Sequence, residues 1–131
     1  MWTGFEPEEG QFNETYINIL KTIVNNYGKK GIFTILDMHQ DVLWQAGPNE
    51  DQGYWGVPKW IKNKLKMPKN LFPWPFSGTP WAWECGYLTE EVSRGFGQFF
   101  NNVNGVADDF AIFWRKVAEE FRDNENILGE S

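Results

Sequence analysis

Gly31-Ile32-Phe33-Thr34-Ile35-Leu36-Asp37-Met38-His39-Gln40-Asp41 opens on an apolar, β-branched run and closes on three side chains able to do chemistry. The run follows Lys29-Lys30-Gly31, and an apolar stretch bounded by such a stop reads as a buried strand of a parallel sheet. Polarity then changes at once. Asp37, His39 and Asp41 are spaced by two, so in an extended backbone all three face the same way. Polar groups aimed from the carboxyl end of a buried parallel strand are what a site in an α/β fold is built from.

Upstream of this stretch, Tyr16, Leu20, Ile23, Val24 and Tyr27 recur at helical spacing, with Ile17 and Ile19 beside them. Asn13 stands where its side chain can cap that helix, and Gly28 stands at its end. Asn13-Glu14-Thr15 is also a glycosylation sequon, for which the helix cap is the preferred reading. Helix, short connection and buried strand make half of a βαβ unit. Residues 1–10 read as a loop, with Met1-Trp2-Thr3 expected to be a strand end.

Downstream, residues 42–104 lack clean periodicity and are broken by six prolines. Six Trp fall in the same stretch, and so many aromatics argue against disorder. A connection this long within a compact domain is usually functional. Val57–Ile61 is expected to be a helical turn, and Thr89–Phe100 a short helix opening on Glu90 and Glu91. Five Lys lie between Lys59 and Lys69. They offer a patch for anionic headgroups or acidic sugars, and hence for peripheral membrane contact; a solvated loop is the plainer reading.

A second helix is expected over Val106–Arg122, with Val106, Phe110, Phe113, Trp114, Val117 and Phe121 as an apolar stripe. Asp108 and Asp109 in its first turn complement the helix dipole. The width of the stripe suits packing on a sheet. Asn124-Glu125-Asn126 reads as a turn, and Ile127-Leu128-Gly129 starts another strand. The resulting βαβαβ alternation points to a parallel α/β fold.

Composition bounds the function from outside. The 131 residues suit one domain, and a net charge of −6 argues against a general nucleic-acid binder. Cys85 is alone, so no internal disulfide is available. No run of eighteen or more apolar residues encodes a membrane span, and no signal peptide is visible. Aromatics make up 18% of the chain, with eight Trp. Surplus Trp can stack on sugar faces, but core filling is the more ordinary use.

Three readings of Asp37, His39 and Asp41 compete. Imidazole and carboxylate suit Zn or Fe, but the spacing is no specific metal signature and His39 is the single His in the chain. The group can instead be structural, satisfying buried backbone donors. It can also form a sugar subsite, hydrogen-bonding hydroxyls while Trp rings stack on the ring face. Asp37 and Asp41 make a poor catalytic pair. Retaining glycoside hydrolysis needs carboxyl groups about 5–5.5 Å apart, and four extended residues separate these two by ~13 Å.

Trp2-Thr3-Gly4-Phe5-Glu6-Pro7 with Gly10-Gln11-Phe12-Asn13 resembles the W-x-G-x-E-P…G-x-[YF]-[ND] region of endoglycoceramidase-like members of glycoside hydrolase family 5. The Leu36-Asp37-Met38-His39-Gln40-Asp41-Val42 stretch is similar to their third barrel strand and the turn after it. Val57-Pro58-x-Trp60, Gly105, Phe113-Trp114 and Val117-Ala118-Glu119-x-Phe121 extend the resemblance over nearly the whole chain.

The resemblance implies an α/β fold, an incomplete (β/α)8 TIM barrel running from the end of strand two to the start of strand four. Residues 1–131 would then be part of a glycoside hydrolase catalytic domain, with 42–104 as a long Trp- and Pro-rich βα loop. A full barrel takes about 250 residues. The implied reaction is retaining cleavage of the β-glucosidic bond between glycan and ceramide in glycosphingolipids. Asp37, His39 and Asp41 would line the glucose subsite. The acid/base Glu of an Asn-Glu-Pro on strand four and the nucleophile Glu on strand seven would lie outside the chain; Asn124-Glu125-Asn126 is not that motif. No cofactor and no metal are implied, the partner is a glycosphingolipid or oligosaccharide, and the placement is extracellular or lysosomal. A non-catalytic glycan- or lipid-binding remnant and a β-glycanase fragment are the alternative readings.

Overall fold

A computed structural model describes residues 1–39, 43, 56–66, 87 and 89–130. The elements run α1 (Trp2–Phe5), α2 (Glu14–Gly28), β1 (Thr34–Leu36), α3 (Lys59–Lys64), α4 (Glu90–Phe100), α5 (Val106–Phe121) and β2 (Ile127–Glu130). β1 and β2 pair in parallel, Thr34 against Ile127 and Leu36 against Glu130, with a bulge between Thr34 and Ile35. The crossover between them carries α3, α4 and α5, so the βαβ reading holds.

Two expectations are corrected. Met1–Thr3 is not a strand end, because Trp2–Phe5 forms a helical turn. That turn buries the Trp2 and Phe5 rings together, which alternating strand positions would send to opposite faces. The strand expected over 31–36 spans only Thr34–Leu36 and pairs on one side among the described residues. Leu36 is buried, whereas Phe33 and Ile35 are 58% and 60% exposed.

α2 starts as its cap predicts, Asn13 Oδ1 accepting from Tyr16 N at 3.1 Å. Its buried positions are Ile17 and Val24, with Tyr16 and Leu20 partly covered; Ile23 and Tyr27 lie outside. Gly28 is the last helical residue, and the left-handed turn comes at Gly31 (φ 72°). A Cβ at Gly28 would run into the Asn126 side chain, so packing against the turn before β2 explains the glycine. Gly4 has a similar reason, since a Cβ there would meet the Tyr16 ring.

α5 buries Val106, Phe113, Val117 and Phe121. Its aromatic stripe, expected on the sheet, meets the rings of α1 and α4. Phe113 packs on Trp2 and Phe5 with ring centres 5.5 and 5.4 Å away, and Phe110 lies 5.3 Å from Trp2 and 5.4 Å from Phe99. α1 is thus the hub of the core. Both helical segments expected within 42–104 are present: the turn expected over Val57–Ile61 as α3, shifted to Lys59–Lys64, and α4 with Thr89 accepting from Val92 N as its cap.

Candidate glycan-binding end of the parallel strand

Asp37 and His39 follow β1 directly and leave the fold at its carboxyl end. Their side chains stand together, His39 Nδ1 being 3.5 Å from Asp37 Oδ2. The carboxylate is 57% and the imidazole 78% exposed, so this is an open polar pair and not a buried structural cluster. Hydroxyl donors and acceptors could reach both. Asp41, the third member of the expected set, lies outside the described residues. Among the described residues, no three His, Cys, Asp or Glu converge to hold a metal ion.

The N-terminal segment covers the same end. The Met1 amine is half-buried, which lowers its pKa, and the negative charge of Asp37 opposes that shift. Just behind it, Glu6 is buried and accepts two hydrogen bonds at 2.9 Å, from Trp2 Nε1 and from Gly10 N. This carboxylate holds the α1 turn and the following loop in one shape. It is spent on structure, each oxygen already accepting one of these bonds.

The roles of Lys64, Trp60 and Thr3 in holding this region together rest on contacts between distant residues. Lys64, on α3, places Nζ 2.7 Å from both Glu9 Oε1 and Asp109 Oδ2, and 5.1 Å from the centre of the Trp60 ring. The two carboxylates raise its pKa against an opposing burial effect, the largest single influence. Lys64 therefore belongs to an internal clasp and leaves the expected basic patch. Trp60 Nε1 donates to Glu6 O at 3.2 Å, and Thr3 Oγ1 to Gly56 O at 3.3 Å. Val57 N in turn donates to the carbonyl of buried Leu43 at 2.9 Å. The backbone two residues beyond Asp41 is thereby tied to a segment that is itself fixed to α1 and α5. Partners 45 to 55 residues apart give no local signal.

Of the described tryptophans, Trp2 is buried and Trp60 and Trp114 are partly buried against the core. These three fill space. Trp44, Trp55, Trp74, Trp81 and Trp83 lie outside the described residues.

Comparison with known proteins agrees with the fold. The cellulase family model, glycosyl hydrolase family 5, matches residues 1–131. An endoglycoceramidase of Cyanea nozakii is 36% identical across 98% of this chain, which spans 27% of that protein. The lactosyl-enzyme intermediate of endo-glycoceramidase II from Rhodococcus sp. superposes with a TM-score of 0.77 at 29% identity, over 99% of this chain and 29% of that one. Its ganglioside GM3 complex superposes with a TM-score of 0.76 at 27% identity, over 98% of this chain and 29% of that one. The chain thus spans about a quarter of the length of the curated relative.

Proposed function

Since this chain belongs to the cellulase family, glycosyl hydrolase family 5, we propose that it is the substrate-binding quarter of a retaining hydrolase that releases glycans from the ceramide of glycosphingolipids. Its fold is part of that family's (β/α)8 barrel. The observation that carries the proposal is the exposed Asp37–His39 pair at the carboxyl end of a parallel strand. This is the end at which barrel enzymes assemble their sites. Similar proteins named for endoglycoceramidase activity, among them an endo-glycoceramidase II solved both as a lactosyl-enzyme intermediate and as a ganglioside GM3 complex, supply the substrate class.

Asp37 and His39, with Asp41 beyond them, contact hydroxyls of the glucose nearest the ceramide. They hold the sugar and do not transfer the proton. Hydrolysis with retention needs a proton donor at the leaving oxygen and a carboxylate on the other side of the scissile bond. Those two Glu come from strand ends beyond these 131 residues. Glu6, already saturated by Trp2 and Gly10, is no substitute.

The test places the 131 residues into the Cyanea nozakii endoglycoceramidase in exchange for its matching segment. The hybrid is expected to hydrolyse fluorescent lactosylceramide, and the isolated chain to hydrolyse none. His39→Ala in the hybrid is expected to cost about tenfold to a hundredfold in kcat/KM, the worth of one hydroxyl contact at ~1–3 kcal/mol. A much larger loss would make His39 a proton-transfer group. A hybrid that cleaves cello-oligosaccharides and ignores lactosylceramide would turn the reading toward a β-glycanase.

A further inference from the structure

The sequon Asn13-Glu14-Thr15 is the only Asn-x-Ser/Thr in the chain, and the hydrolase reading does not use it. A helix cap and a glycosylation site look like rival uses of one side chain. The structure removes the rivalry. A backbone N–H can bond only to the amide oxygen, so the 3.1 Å bond from Tyr16 N fixes Oδ1 inward over the first turn of α2. The amide nitrogen then points the other way. Among the described residues Nδ2 has no hydrogen-bond partner, and Asn13, Glu14 and Thr15 are all exposed. The Asn13 backbone is extended (φ −87°, ψ 92°) and held by its own N–H donating to Phe5 O at 2.8 Å.

We propose that Asn13 is an N-glycosylation site whose sugar is borne on Nδ2 while Oδ1 continues to cap α2. The donor is an oligosaccharide linked through pyrophosphate to a polyisoprenoid lipid. Nδ2 attacks the anomeric carbon, the new C–N bond replaces the C–O bond to pyrophosphate, the lipid pyrophosphate leaves, and Nδ2 loses one proton. The product is still an amide with an intact carbonyl, so the acceptor that the helix needs survives the modification.

The position of the sugar follows from the topology. The far end of α2 lies at the start of the two strands, where Asn25 Oδ1 accepts from Asn124 Nδ2 at 2.9 Å and Thr34 N donates to Asn126 O at 2.8 Å. The near end of α2, with Asn13, therefore lies toward the carboxyl end of β1, where Asp37 and His39 stand. A glycan here sits at the rim of the substrate-binding end and leaves the helix's packed face clear.

The complete chain, fitted with a secretory leader and translated with endoplasmic-reticulum microsomes, is expected to show one endoglycosidase-sensitive mass step. Thr15→Ser keeps it. Thr15→Ala and Asn13→Asp abolish it, the latter while retaining a capping oxygen. A positive control is Asn126→Thr, which creates a second sequon at Asn124. An unshifted native chain beside a shifted Asn126→Thr chain would overturn the proposal, as would a shift that persists in Asn13→Asp. Hydrogen exchange at the Tyr16 amide checks the second half. Protection is expected to be equal with and without the sugar and to fall about fivefold in Asn13→Ala. Loss of protection on glycosylation would show that cap and sugar exclude each other.

Discussion

Glu6 and His39 show how differently two polar side chains near one strand end are used. Glu6 is buried and both its oxygens accept, one from the buried Trp2 Nε1 and one from the N–H of exposed Gly10. Glu6→Ala leaves the buried Trp2 Nε1 without an acceptor, at about 1–3 kcal/mol, while the N–H of exposed Gly10 turns to water. A loss of ~1–3 kcal/mol in urea denaturation, followed by Trp fluorescence, is expected; a change under ~0.5 kcal/mol would mean that water replaces the carboxylate. His39 sits 78% exposed beside Asp37, so its replacement should leave the denaturation midpoint unchanged. The acidic residue of the W-x-G-x-E-P stretch is thus a scaffold group, and its glycine exists to seat the Tyr16 ring.

At the level of elements, α2 and α5 are joined by charge as well as by the core. Glu120 of α5 pairs with Lys116 on its own helix and with Lys21 on α2. The hydrogen bond from Lys116, then that from Lys21, holds the Glu120 pKa below the ordinary carboxylate value. A carboxylate with a depressed folded pKa stabilises the fold above its unfolded value. That contribution disappears as pH falls through the folded value. Glu120→Gln is therefore expected to lower the melting temperature at pH 7, with the gap to the native chain closing from about pH 4.3 downward. A gap that stays constant into acid would refute the ionic origin. Lys116, whose pKa the same hydrogen bond raises, keeps its contribution below the ordinary lysine value and loses it only in strong base. The Lys64 clasp works likewise between α3 and α5.

For the molecule as a whole, the decisive feature is apolar surface on a two-stranded sheet. Phe33, Ile35 and Leu128 are each more than half exposed, and Ile19 and Ile23 line an open groove on α2 with Thr15, Asn18 and Thr22. In a closed barrel, strands and helices on either side would cover Phe33, Ile35, Leu128, Ile19 and Ile23. Unpaired strand edges and uncovered apolar faces favour association. The isolated chain is expected to bind a hydrophobic dye and to self-associate at micromolar concentration. A monomeric, cooperative melt with no dye bound would count against the partial-barrel reading. The hybrid with the Cyanea nozakii protein should lose the dye binding, because its remaining strands and helices occupy those faces.

Local pattern was enough to determine much of this protein. The Asn13 cap, the α2 and α5 helices, the Thr89 helix, the turn before Ile127 and the polar end of β1 all rest on interactions within a few residues, which spacing and side-chain type report directly. Asp37 and His39 were legible for the same reason, alternation along one backbone. Tertiary structure decided what depends on distant partners. Trp2–Phe5 became a helical turn because both rings enter one cluster with Phe110 and Phe113, more than a hundred residues away. Lys64 left the basic patch because Glu9, from the loop after α1, and Asp109, from α5, converge on it. The buried role of Glu6 likewise required the fold, since a carboxylate's value as an acceptor depends on which donors the packed chain brings to it.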